Sequence, residues 1–244
     1  MKVAISHEHQ EQQLVQSFFD GAHGFFVEVG ANHPYEGSQS WHLEQRGWKG
    51  ILVEPLPGHA ENLRRMRNAK VFCAACSSPK NAGRQLPFYV ADGLSSLDRN
   101  RMAPGSQPES VIEVRIRTLN DILVEAKAPQ PIDFLSVDVE GHEVEVLSGL
   151  DLTRWRPRLI LLEDHVSDLS THRFVKSAGY RLVRRTGLNG WYIPASSLVR
   201  FGWRDRWQIL RKYYLALPFR ALRNTSRQLR QPFKNWSQAR RNSM

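Results

Sequence analysis

The stretch "FFVEVGANHPYEGS", residues 25–38, decides the fold class. An apolar run rich in β-branched and aromatic residues stops at Gly30, which reads as a buried strand entering a turn. The same grammar recurs on either side of it. "KGILVEP" (49–55) is a second strand closed by Pro55, and "AKVFCAAC" (69–76) a third. Between them, "SQSWHLEQRG" (38–47) and "HAENLRRMRN" (59–68) carry helical spacing, the latter with Leu63 and Met66 inward. Upstream, "HEHQEQQLVQSFF" (7–19) predicts a helix leading into the first strand. Residues 79–110 interrupt the rhythm with turn formers and a short "LPFYV" (86–90), a candidate pocket wall. Alternation resumes with "VIEVRIRT" (111–118), "LNDILVEA" (119–126), "IDFLSVDVEG" (132–141), "HEVEVLSGL" (142–150) and "RPRLILLED" (156–164). "HRFVKSAG" (172–179) is a short helix, and "YRLVRRTGLNGWYIP" (180–194) has the Gly/Asn turn of a hairpin. These units predict an α/β domain: a mostly parallel sheet, helices on both faces, and a closing antiparallel hairpin.

The chain has 244 residues and a net charge of +10, but the charge is unevenly placed. Residues 199–244 hold 12 of the 34 basic residues and one of the 24 acids, so the first 198 carry 22 against 23. A near-neutral domain (1–198) with a basic amphipathic tail (199–244) is therefore expected, and any pull toward anionic partners belongs to the tail. No secretory leader and no apolar run near 18 residues is read, which gives a cytoplasmic expectation. Cys73 and Cys76 fall on opposite faces if their run is a strand, and two ligands fall short of a zinc site, so they read as plain buried thiols.

In open α/β sheets the ligand crevice lies beyond the strand C-termini, so the turn after the first strand is the place to interrogate. A dinucleotide loop needs GxGxxG, which leaves bare backbone N–H groups for a pyrophosphate. Here the next glycine after Gly30 is Gly37, with Asn32, His33, Pro34 and Tyr35 between them. Glu28, just before the turn, repels a pyrophosphate and suits an ammonium or sulfonium ligand, which favours S-adenosylmethionine over NAD. The competing reading of Glu28 is a loop or helix-capping carboxylate. Glu54, 24 residues after Gly30, stands where an acid accepts ribose hydroxyls, or else is a solvated strand end.

"FFVEVGANHP", "GWKGILVEP" and "IDFLSVDVEGHEVEVLSGL", in that order and spacing, resemble the FkbM family of S-adenosylmethionine-dependent methyltransferases over about residues 6–194. The resemblance implies a Rossmann-like class I methyltransferase fold with a seven-stranded sheet, and methylation of hydroxyl oxygens on sugars, glycolipids or secondary metabolites. Glu28, Gly30, Ala31, Asn32 and Pro34 match the family's first motif, and His33 between them joins the cofactor-binding candidates. Glu54 and Pro55 match its ribose-side motif. "SQS" at Ser38–Ser40 resembles a Ser/Asn-Thr stretch but departs from it at Gln39. "GLSSL" (93–97), with Ser95 and Ser96, resembles a loop bordering the cofactor. Gln10 and Glu11 loosely match an entry helix.

Methyl transfer to a hydroxyl needs an in-line geometry and a group to take the proton. The candidates follow the fourth parallel strand: Asp138, nearest the methyl donor, then Glu140 and His142, the latter favoured as base because imidazole titrates near 6.5. Alternatively, Glu140, His142 and Glu143 cap the next helix. "LLEDH" brings Glu163, Asp164 and His165 to the same rim, where acids on adjacent strands offer oxygen ligands to Mg²⁺. His23, His59 and His172 read as surface residues. In the tail, Trp203, Trp207, Leu210, Tyr214 and Leu217 share one helical face, and Leu222, Leu229, Phe233 and Trp236 repeat the spacing. That face docks on the domain, mediates a homodimer, or meets an anionic membrane surface, with nucleic acid the least favoured partner. A catalytically silent protein that binds nucleic acid or membrane through its tail is the alternative to an enzyme acting on a small-molecule or glycan acceptor.

Overall fold

The structure, a computed structural model, describes residues 7–21, 23–91, 95–99, 107–164 and 169–215. Its elements run α1 (His7–Phe18), β1 (Phe25–Val29), α2 (Trp41–Glu44), β2 (Lys49–Glu54), α3 (Pro57–Met66), β3 (Lys70–Cys73), β4 (Ala75–Cys76), β5 (Gln85–Val90) and β6 (Ser110–Arg117). There follow α4 (Leu119–Ala126), β7 (Phe134–Val137), α5 (Glu143–Ser148), α6 (Leu152–Trp155), β8 (Leu159–Glu163), α7 (Ser170–Ser177), β9 (Tyr180–Thr186), β10 (Asn189–Pro194) and α8 (Trp203–Ile209). A π-helical segment, Leu210–Leu215, continues α8.

Seven strands form the main sheet in the order β3-β2-β1-β7-β8-β10-β9. The first five are parallel, and β10 runs antiparallel to both β8 and β9. The chain builds outward from β1 to β3 and returns on β1's other side at β7, so the strand order reverses there and opens a crevice. Val29 pairs with Val53 on one side and Val137 on the other. The next residues of the three strands, Gly30, Glu54 and Asp138, therefore emerge at one rim.

Strand alternation sorts the core into two layers. Val27, Val29, Ile51, Val53, Leu135 and Val137 pack against α4 and α5 through Leu119, Ile122, Leu123, Val146 and Leu147. Phe26, Leu52 and Phe134 pack the opposite face with Val15, Phe19, Leu43 and Leu63. By parity with Phe26, Glu28 belongs to this second face.

Four expectations are corrected. "AKVFCAAC" is broken at Ala74: β3 stays in the main sheet, whereas β4 joins a small sheet ordered β4-β6-β5. "VIEVRIRT" joins that sheet too, antiparallel to β5. Its Glu113, Arg115 and Arg117 alternate with Val114 and Ile116, the pattern of a strand with one solvated face, whereas an interior parallel strand is apolar on both. Met66 is 49% exposed because it falls in the last turn of α3, past the point where Leu63 fills the core. His172 is buried against Tyr192 and Tyr213 rather than on the surface. The cysteines are free, and burial pushes the Cys76 thiol up to about 12, so it has no nucleophilic character.

None of the helices among the described residues is long and apolar enough to cross a membrane. α8 docks, but by an unexpected face. Arg184 pairs with Asp205 (2.9 Å), and Tyr213 is fully buried, its hydroxyl donating to Asp164 (2.9 Å) and accepting from Arg185 (2.8 Å). Trp203, Trp207, Leu210 and Tyr214 face solvent at 73%, 55%, 42% and 51% exposure. Leu217, Leu222, Leu229, Phe233 and Trp236 lie outside the described residues.

Candidate active site

The crevice is built on a contact only glycine permits. Gly30 has φ +83°, and a Cβ there would stand 1.8 Å from the Asp138 carbonyl oxygen, so the loops after β1 and β7 touch backbone to backbone. Gly30 and Ala31 donate to the Val53 carbonyl, and Asp138 N–H donates to that of Val29. Above this floor opens a cavity of about 510 Å³, within the size range of small-ligand sites. Gly30, Ala31 and Asn32 form its base, and Glu54, Pro55, Ala75 and Cys76 one wall. Asp138, Glu140 and His142 form the other, and Phe88, Val90 and Ser95 of the small sheet and its following loop close the top.

Glu54 is a buried strand end rather than a solvated one. It lines the cavity at the end of β2, its two oxygens accepting from the N–H groups of Asn32 and Leu56 (2.9 Å each). Burial raises its pKa against those hydrogen bonds. His59, unnoticed as a site residue, lines the same wall.

Glu28 does not reach the cavity, and its proposed contact with a cationic ligand is corrected. On the α1–α3 face its carboxylate accepts from Gln39 N–H (2.7 Å), Ser38 Oγ (3.0 Å) and Ser40 Oγ. Beneath lies buried Arg67, which donates to Glu44 (3.0 Å), the Pro34 carbonyl (2.9 Å), Ser38 (3.1 Å) and Ser40 (2.9 Å). Burial raises the Glu28 pKa, opposed first by Ser40 and then by the Arg67 charge. Glu28 therefore shapes the 34–40 loop from behind. Ser38 serves the same network, and exposed His33 turns its Nδ1 onto the N–H groups of Tyr35 and Glu36, so neither lines the cavity. Ser95 does line it, whereas Ser96 is buried and clamps the Glu140 carbonyl (3.2 Å). Glu11 ties α1 to the hairpin through Asn189 (2.7 Å) and Thr186.

The acidic rim is tighter than sequence spacing suggests. Asp138, Glu140 and Glu163 bring one carboxylate oxygen each within 4.8 Å of one another. Glu140 and Gly141 are both left-handed, φ 52° and 89°, and Glu143 holds the turn by accepting from Gly141 N–H (2.8 Å). Burial, then the charges of Asp138 and Glu143, raise Glu140 to about 7. Burial, then Asp138 and Glu140, raise Glu163 to about 9, so at neutral pH it is protonated and hydrogen-bonded to Asp138. His142 Nε2 meets Ser77 Oγ at 3.0 Å, and Ser77 in turn accepts from Asn81 (3.0 Å). Asp164 turns the other way, to Tyr213, and His165 lies outside the described residues.

A parallel sheet whose strand order reverses beside β1, with a cavity at that switch point, is the Rossmann-like architecture of class I methyltransferases. The chain belongs to the FkbM methyltransferase family: the family's domain, described as "Methyltransferase FkbM domain", matches residues 28–182. Over 63 residues it is 36% identical to Methyltransferase 1 of Beauveria bassiana (strain ARSEF 2860), an alignment spanning only 25% of each protein. Precorrin-6y C5,15-methyltransferase from Geobacter metallireducens GS-15 superposes with a TM-score of 0.41 at 11% identity, over 79% of this chain and 91% of that one. The O-methyltransferase from Bacillus cereus, solved in complex with SAH, gives 0.41 at 16%, over 79% and 80%. Likenesses this distant bear on neither substrate nor site.

Proposed function

We propose that this protein is an S-adenosylmethionine-dependent O-methyltransferase acting on a hydroxyl of a sugar, glycolipid or secondary metabolite. One observation carries the reading: Asp138 and Glu140 line the wall of a cavity beside the switch point, Glu163 brings a carboxylate oxygen within 4.8 Å of theirs, and burial with neighbouring charge raises the Glu140 carboxyl to about 7. A cavity of about 510 Å³ leaves room for the donor. Glu54 would hold the ribose hydroxyls, Ala75 and Cys76 would flank the adenine, and the Gly30–Asn32 backbone would lie under the amino-acid end. When bound, the donor supplies an electrophilic methyl group on a sulfonium. Asp138 accepts a hydrogen bond from the acceptor hydroxyl and orients it, and Glu140 takes its proton, since a base with a pKa near the working pH is the effective one. Protonated Glu163 holds Asp138 in place. His142, pinned by Ser77, is a positioning group for the rim. The expected division is a catalytic domain over 1–198 with 199–244 as appendage.

A second reading has Mg²⁺ held by Asp138, Glu140 and Glu163, whose oxygens are close enough to share an ion. Chelation separates the two: turnover that survives chelator favours the shared-proton arrangement, and loss restored by Mg²⁺ favours the metal.

The test is S-adenosylhomocysteine release in a screen of sugar, glycolipid and polyketide alcohols. Acceptor-dependent release that falls about 10²- to 10⁴-fold in Asp138→Ala, with the unfolding midpoint kept, is expected. Unchanged release in that variant removes Asp138 from the chemistry.

A further inference from the structure

The segment 203–215 turns Asp205 and Tyr213 to the domain and leaves an apolar stripe facing out beside exposed Arg204, Arg206 and Arg211. Asp205 is spent on Arg184, and the Tyr213 ring is buried with its hydroxyl between Asp164 and Arg185. Left outside are Trp203, Trp207, Leu210, Tyr214 and Leu215, each more than two-fifths exposed. A contiguous exposed patch of large apolar side chains marks an interaction surface rather than ordinary solvent-facing helix.

What surrounds the patch selects its occupant. Arg206 lines a groove with Trp203, Trp207 and Leu210, exposed Arg200, Arg204 and Arg211 lie along the same stretch, and Asp205 is the only acid between 199 and 215. The guanidinium of Arg204 lies over the Trp203 ring, 5.7 Å from its centroid, so cation and indole sit together as they do at a headgroup boundary. A two-fold contact between copies would bring these cations against their own equivalents. Nucleic acid would satisfy the charges but not the leucines. An anionic bilayer satisfies both: hydrocarbon for Trp203, Trp207 and Leu210, phosphate for the arginines.

We propose that residues 203–215 dock this protein on an anionic membrane surface. Tyr213 anchors the segment to Asp164, just past the end of β8, so the docked helix is fixed to the sheet that carries the cavity. Taken with the methyl-transfer reading, on which this further step rests, the acceptor hydroxyl is one carried by a membrane lipid.

Sedimentation of the full chain with vesicles tests the docking without donor or acceptor. Vesicles of phosphatidylglycerol and phosphatidylcholine in equal parts should carry the protein down, and phosphatidylcholine alone should not. Trp203→Ser with Trp207→Ser should weaken binding at least ~10-fold. Each of Arg204→Gln, Arg206→Gln and Arg211→Gln should weaken it about five-fold, as one basic residue near an anionic surface contributes. All five side chains are exposed, so the unfolding midpoint should hold in every variant. The docking is overturned if the double tryptophan variant sediments as well as the parent, which would assign binding to residues beyond 215. It is equally overturned if the parent ignores anionic vesicles while binding RNA or dimerising through the same side chains. Calorimetry with S-adenosylmethionine on the same samples keeps the two claims apart. Donor binding without vesicle binding sinks the docking alone, and vesicle binding without donor binding sinks the methyl-transfer reading alone.

Discussion

Two charge clusters flank β1, and they are built on opposite principles. Behind the strand, Glu28 and Glu44 share buried Arg67, and Ser38 and Ser40 fill the remaining hydrogen-bonding positions. In front, Asp138, Glu140 and Glu163 crowd together, and the charges that act on Glu140 and Glu163 are those of further acids. The rear cluster buries its carboxyl groups, and the front one half-buries Glu140 and Glu163 beside exposed Asp138. Only the rear one offsets that cost with a guanidinium, so it serves the architecture of the 34–40 loop. The front one raises its own pKa values and lowers stability, a pattern common at functional sites and the one the proposed chemistry would use.

Arg67→Met probes the contrast most severely. Two buried acids would lose their cation, and the domain should lose about 3–5 kcal/mol. That is on the order of 10 °C in unfolding midpoint for a chain of this size. A loss below about 1 kcal/mol would mean the rear cluster is not a compensated one.

On the front side, the proton-accepting role given to Glu140 fixes the pH response. Its carboxyl must be ionised to act, so kcat/KM should fall about tenfold per pH unit below about 7 and level off above it. In Glu140→Gln that inflection should vanish, and a parent profile flat between pH 5.5 and 8 would exclude the role.

The two glutamates at neighbouring strand ends should separate next. Glu54→Gln should weaken S-adenosylmethionine about tenfold, as expected for loss of a charge-assisted hydrogen bond to a ribose. Glu28→Gln should act mainly on thermal stability, since its carboxylate faces the loop. Equal affinity losses would undo the distinction.

Glu163→Gln is the subtlest change. Because the folded pKa of Glu163 is raised, the folded chain keeps a proton that the unfolded chain has released. Its contribution to stability is intact below 4.5 and is lost progressively as pH rises toward about 9. The variant should match the parent near pH 4.5 and exceed it by a margin that grows toward pH 9, as denaturant titrations at several pH values would read.

Much of the fold was legible because strands, turns and breakers are local signals. Register did the rest: once β1, β2 and β7 lie side by side, Gly30, Glu54 and Asp138 must share a rim. The face of Glu28 was harder, because a strand buried on both sides is apolar throughout and its run does not say which parity meets the crevice. β6 carried a usable signal in Glu113, Arg115 and Arg117, whose alternation argues against an interior parallel strand. Glu163 was placed on the rim by its position at a strand end, but Arg67 gave no such sign, since its partners come from segments brought together only by tertiary packing. For α8, the helical spacing of its tryptophans revealed a face but not whether anything covers it. That was decided by Asp205 and Tyr213, two residues on the other side.

The most direct test of the central claim is calorimetric titration of the full chain with S-adenosylmethionine and, separately, NAD. Saturable one-to-one binding of the former, weakened by Glu54→Gln, with no heat from NAD, is the predicted result. NAD binding in its place, or donor binding indifferent to Glu54, would contradict it.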